Sequence, residues 1–384
     1  MKPVPLSLLA VVFSLALGAC SSMDALNPFA SSGPKVKPAD LAAIQPTSEL
    51  VVLWKESVGS AGKYTLSPVV VGDSVYAAGS DGTVARFDAG RPVWRINVGQ
   101  PISGGVGSDG KLVVVGTPKG EVLGFDAATG RETWKARVSS EVLAAPAVAE
   151  GLAIVRSGDS RIFGFDAVDG KRRWVYQRGT PALSLRSNVG VLAAGNVTLA
   201  GFPGGKLVAM ANSNGAAVWE VTVALPKGAT ELERVADVTS SPAVSGTTVC
   251  AAAFQGRAAC FDSKTGNTLW SRDMSSSAGV DIDNRYVYVT DDKGWVHALD
   301  RSSGASIWKQ DKLANRGLTR PLAIGGRVVV ADYQGTVHLL RQEDGAFAAR
   351  ATTDGSAVRA ELVRLGAGFL VQTANGGLYA LDAR

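Results

Sequence analysis

The chain has 384 residues, 46% apolar and only 19% charged, with 45 glycines and 16 prolines, a balance that excludes disorder and coiled coil and points to many short strands joined by turns. A net charge of +5 with no run of five Lys or Arg gives nucleic-acid binding little support. Three cysteines, no CxxC pair and two histidines offer neither a structural zinc site nor a disulfide framework.

At the amino terminus Lys2 supplies a positive n-region, and Pro5–Leu17 gives a 13-residue apolar stretch ending in Leu17-Gly18-Ala19-Cys20. This is a secretory signal, too short to span a bilayer as a stable helix. Leu at minus three, two small residues and Cys at plus one resemble the lipobox of bacterial lipoproteins. That resemblance implies a signal peptide over 1–19, lipidation of Cys20 and, because Ser21 follows and not Asp, sorting to the outer membrane. Residues 20–49 are rich in Ser, Ala and Pro without a sustained period, so they read as a flexible tether carrying the folded body, residues 50–384.

Tryptophan marks an internal repeat. Trp54, Trp94, Trp134, Trp174, Trp219, Trp270 and Trp308 are 40, 40, 40, 45, 51 and 38 residues apart, and all but Trp54 follow a glycine by four. Ahead of those glycines runs an apolar strand that ends in most copies at Asp, as in Leu123-Gly-Phe-Asp126 and Ala259-Cys-Phe-Asp262. A four-stranded unit of this length cannot bury both faces alone, so copies stack radially as propeller blades. Gly takes the left-handed turn position, Asp accepts backbone N–H groups in the same turn, and Trp wedges between blades. The tryptophans are therefore structural.

In the seventh copy Ala349 stands at the Trp position and Arg341 at the Asp position, with Phe347 as the candidate to fill the gap. The eighth copy offers three strands from Leu362 to Asp382, and Val51–Trp54 supplies the fourth from the other end of the chain. The expected fold is an all-β, eight-bladed propeller closed by its amino-terminal strand, which removes free sheet edges.

The repeat resembles that of the quinoprotein dehydrogenases, and Gly124-Phe-Asp-Ala-Ala-Thr-Gly130-Arg-Glu-Thr-Trp134 is close to their tryptophan-docking motif. Fold alone does not transfer activity. Those enzymes are much longer and often carry adjacent cysteines, which this chain lacks, so no cofactor, metal or catalytic residue is expected. Cys250 and Cys260 lie nearly opposite each other across a hairpin, where they either form a disulfide or simply pack. His297 and His338 each follow a repeat glycine by three residues and read as structural. Gly105-Val-Gly-Ser-Asp-Gly110 spells GxGxxG, but a strand follows it and not a helix, so it reads as a β-turn.

The repeat is interrupted after Trp174 and again after Trp219, where the distance to the next inner strand rises to about 17 and to 23 residues. Both insertions join an outer strand to the next inner strand, so they emerge side by side on one face, as a single binding site requires. The first places Leu183, Leu185 and Arg186 on a loop; the second, Pro226–Pro242, is more charged and contains Asp237. Apolar residues rimmed by charge have the composition of an interface. The alternative is that the leucines cap the propeller's own core.

Lipobox, short tether, eight blades and the loop Pro181-Ala-Leu-Ser-Leu-Arg186 followed by Asp237-Val together resemble the BamB family, lipoproteins of the bacterial β-barrel assembly machine. The resemblance covers essentially the whole chain. It implies a non-enzymatic scaffold, held at the outer membrane and facing the periplasm, whose Leu183, Leu185, Arg186 and Asp237 bind the POTRA domains of BamA. Where the family pattern has a second acid the chain has Thr239, so an acidic contact there is not expected. The rival readings are a periplasmic quinoprotein-type oxidoreductase and a propeller lipoprotein that binds a ligand in its central channel.

Overall fold

The computed structural model describes residues 37–384, so the signal peptide, Cys20 and the first part of the tether lie outside the described residues. From Leu50 onward the described chain forms eight four-stranded antiparallel sheets, seven of them built from consecutive strands. These are the blades of an eight-bladed propeller. Blade 1 comprises Val69–Val71, Ser74–Ala78, Thr83–Asp88 and Arg91–Asn97, and blades 2 to 7 repeat that order up to Thr352. Blade 8 takes Val363–Leu365, Gly368–Gln372 and Gly377–Ala383 from the carboxyl end and Leu50–Ser57 from the amino end. The closure occurs as expected, with Leu50 opposite Ala383 and Ser57 opposite Gly377.

The repeated residues close the ring in the same way each time. Trp134 of blade 2 donates its indole N–H to the Ala167 carbonyl of blade 3 at 3.0 Å, and Trp94, Trp174, Trp219, Trp270 and Trp308 each do the same to the next blade at 2.7–3.1 Å. In every case the acceptor is the residue just after the Asp position. The ring then lies against the turn glycine: a Cβ on Gly170 would sit 2.8 Å from Trp134, and its φ of 70° is in the left-handed region. Within the blade, Trp134 faces Gly124 and Trp174 faces Gly164 in register, where a Cβ would come within 2.4 and 2.2 Å of the indole. The carboxylates cap the same turns. Asp300 accepts from the hydroxyls and amides of Ser302 and Ser303, which hold its pKa down at about 2.

Blade 7 solves its missing Trp differently. Ala349 stands opposite Leu339, a large residue where blades 2 to 6 have Gly, Ala or Cys, and both are buried between blades 7 and 8. Phe347 does not fill that gap. It packs instead against the cluster that holds Trp308, Leu313 and Leu318 between blades 6 and 7, which Leu41 from the amino-terminal segment also joins. The segment 38–49 is likewise not a free tether: Ala39 N–H donates to Ala314, and Thr47 and Ser48 both donate to the Ala348 carbonyl.

Cys250 and Cys260 pair directly in register within blade 5 and are joined by a disulfide. Of the GxGxxG spelling, Gly105–Ser108 belongs to the inner strand Gly104–Ser108 of blade 2, and only Asp109 and Gly110 make the turn. His297 and His338 are both structural, each bonded to an Asp six residues earlier.

Candidate functional site

Every blade runs in the same direction, so all connections from an outer strand to the next inner strand open on one face of the ring, together with the turns between second and third strands. The repeated Trp, Gly and Asp turns lie on the other face. The loop 177–190 between blades 3 and 4 and the loop 223–242 between blades 4 and 5 are therefore neighbours on the connection face, as their spacing requires.

Asp237 holds the two loops together. It is 2% exposed, and its carboxylate accepts the Leu185 N–H at 2.7 Å and the Gly204 N–H at 3.0 Å. Its backbone carbonyl takes the Phe254 N–H at 2.8 Å. The adjoining Gly205 tolerates no side chain, since a Cβ would meet the Ala224 carbonyl oxygen at 2.1 Å. Below lies the buried Arg156, whose guanidinium donates to the Gly201 carbonyl and stacks 5.1 Å from the centre of the Phe202 ring. Burial pulls the Arg156 pKa down to about 10 against the opposing pull of Asp237. Asp237 thus differs from its expected part as an acceptor for a partner: both oxygens face inward, and it positions the Leu185 backbone.

Leu183 and Leu185 remain 40% and 39% exposed, too open for leucines that merely cap a core. Arg186 projects beside them and forms a two-pronged pair with Glu141 from the loop between blades 2 and 3, Nε to Oε1 at 2.9 Å and Nη2 to Oε2 at 2.8 Å. Glu141 is held below the usual carboxylate range by those bonds, which outweigh its partial burial. Nη1 takes no part in the pair. Thr239 is buried, with its hydroxyl turned to the Ser277 carbonyl at 3.5 Å.

Two residues that the sequence reading left out are more exposed than those it named: Leu225 at 65% and Leu232 at 72%, both on the second loop. Glu233 shapes that loop by accepting the Ala229 and Thr230 amides at 2.8 and 3.0 Å. Its far half turns inward: Val235 is buried, and Ala236 and Val238 join the core between blades 4 and 5. Four leucines on one loop pair, a rim of Arg186, Glu141, Glu231 and Arg234, and a cleft of only about 40 Å³ behind Leu185 suit a protein surface. That cleft has room for a water or two, while an open groove of about 590 Å³ runs beside Leu225 and Lys227 on the second loop.

The central channel is built otherwise. Arg320 donates to Glu361 at 2.9 Å and to the Val280 carbonyl at 2.6 Å, while Arg364 and the Ala323 N–H both bind Asp281, at 3.1 and 2.8 Å. These contacts knit blades 6, 7 and 8 together and leave the channel's charges largely matched.

A family model described as outer membrane protein assembly factor BamB matches residues 80–310. Outer membrane protein assembly factor BamB of Bordetella pertussis is 42% identical over 372 residues, 96% of this chain and 95% of its own length. The protein of the same name from Pseudomonas aeruginosa is 43% identical over 379 residues, 97% of this chain and 98% of its own. Among solved structures, BamB from Moraxella catarrhalis superposes with a TM-score of 0.81 at 29% identity, covering 87% of this chain and all of that one. Quinohemoprotein alcohol dehydrogenase from Comamonas testosteroni gives a TM-score of 0.69 at 14% identity over 86% of this chain, a likeness of fold alone.

Proposed function

The chain belongs to the family of outer membrane protein assembly factor BamB, a family of non-enzymatic assembly factors, and from that premise we propose that it serves as a scaffold in the machinery that assembles and inserts outer-membrane β-barrel proteins. In this reading residues 1–19 are removed, lipidated Cys20 holds the protein to the outer membrane, and the propeller faces the periplasm. Its partner is BamA, bound through the POTRA domains.

The observation that carries the reading is the rigid presentation of apolar side chains on the connection face. Leu183 and Leu185 stand half-exposed on a backbone pinned by a buried carboxylate, so little entropy remains to be lost when a partner covers them. Arg186 already prefers a two-pronged carboxylate, shown by Glu141, and an acidic side chain on BamA competes for it or engages its Nη1 edge. Asp237 contributes indirectly, through the Leu185 amide.

The test is affinity purification of the tagged protein from gently solubilised outer membranes, with mass spectrometry of what accompanies it. A barrel protein with POTRA domains should come down with the wild type and be lost from a Leu185→Glu, Arg186→Glu double variant. Wild type arriving alone, or with an unrelated partner, overturns the proposal.

A further inference from the structure

The segment 38–49 bridges the two faces of the ring along the outer strand of blade 7. It begins on the connection face, where Ala39 N–H donates to Ala314 at 2.9 Å in the loop between blades 6 and 7. It ends at the opposite rim, where Glu49 and Arg384 exchange both backbone hydrogen bonds at 2.8 and 2.9 Å. Between those points it lies where blade 7 departs from the repeat, beside Phe347 and over the Ala348 carbonyl.

Two arginines grip its carbonyls. Arg316, 3% exposed, donates from Nη1 to Ala39 O at 2.9 Å, from Nε to Asp332 at 2.7 Å and from Nη2 to Gln334 at 2.5 Å. Arg350 donates from Nη1 to Ala42 O at 2.9 Å and from Nε to His338 Nδ1 at 3.1 Å. The Nε2 of His338 then faces Asp332 at 3.1 Å. With Nδ1 accepting, Nε2 carries the proton, and burial keeps the imidazole pKa below its ordinary value so that the ring stays neutral. A buried guanidinium tolerates few unmet donors, so the carbonyl of Ala39 is a component of this cluster and not a passing contact.

We propose that residues 38–49 are a latch that fixes the exit of the amino-terminal segment on the connection face, the face that carries Leu183, Leu185 and Arg186. Resting on the lipid-anchor reading above, this places membrane attachment and partner docking on one side of the propeller, with the Trp-turn face away from the bilayer. The stretch from Cys20 to Lys37 that precedes the latch is 18 residues long.

The test uses the full lipidated chain in vesicles containing brominated phospholipid, with a fluorophore on single cysteines. Lys227→Cys and Lys312→Cys report the connection face, and Lys171→Cys and Lys264→Cys the opposite face. Quenching at the first pair should exceed that at the second at least twofold, and replacing residues 38–47 by a Gly/Ser segment of equal length should erase the difference. Equal quenching on both faces of the unaltered chain overturns the proposal. Absence of the chain from floated vesicles would instead sink the anchoring reading. Hydrogen exchange on the same full chain judges the latch without membranes: the replacement should speed exchange at 312–316 and 347–352 and leave blades 2 and 3 unchanged, and unaltered exchange at those amides overturns it.

Discussion

The two faces of the ring follow opposite rules. On the turn face the same contact recurs, an indole N–H to the carbonyl after the Asp position and an indole ring over a glycine, from Trp94 on Gly130 to Trp308 on Gly345. On the connection face no two loops are alike: one presents leucines, one folds over a buried carboxylate, and one is clasped by the amino-terminal segment. Closure is maintained by short-range geometry that any blade can supply, which leaves the exposed parts of the connection loops free to vary while their inward-facing residues, such as Ala236 and Val238, still pack in the core.

The largest effect expected from breaking this contrast is on the turn face. Trp134→Ala removes a buried indole, its interblade hydrogen bond and the wall against Gly170, and should cost about 3–5 kcal/mol in denaturant unfolding. Arg316→Ala on the latch should approach that, about 3 kcal/mol, because it leaves Asp332 buried beside His338 with one cation fewer. Asp237→Ala should cost about 1–3 kcal/mol of stability through two orphaned amides and should weaken partner binding as well. Leu185→Ala separates the faces most cleanly, with stability unchanged within about 0.5 kcal/mol and binding weaker by about 1–3 kcal/mol.

A smaller, pH-linked effect belongs to the latch. The His338 pKa is depressed by burial from its ordinary 6.5, so the unfolded chain binds the proton more readily and stability is lost as pH falls below about 6.5. Burial alone would raise Asp332, but bonds from His338, Thr336 and Arg316 outweigh it and hold it low; its contribution disappears only on further acidification, below 3.8. Melting followed from pH 7.5 to 5.5 should show a decline in the wild type that His338→Gln flattens.

The propeller was legible because its signal is local and repeated: Gly, Asp and Trp at fixed spacing declare a turn and a wedge wherever they occur. The face of the insertions was legible for the same reason, since a strand order shared by all blades assigns each loop a side. The burial of Asp237 was not, because it is decided by Leu185 and Gly204, 52 and 33 residues away, and an acid in a polar loop reads the same exposed or enclosed. The latch was hidden by composition. Ser, Ala and Pro mark a tether, yet segment 38–49 is held mainly through its backbone, which composition does not encode. The packing of Phe347 toward blade 6 was not legible, because the cluster it joins is completed by Leu41, far outside the repeat.

The most direct measurement is a binding titration of purified BamA POTRA domains against this chain and its Leu185→Glu, Arg186→Glu variant, with melting temperatures taken on both. A variant that melts like the wild type but binds at least tenfold more weakly is the predicted result. Equal affinity in the two proteins would contradict the connection face as the docking surface.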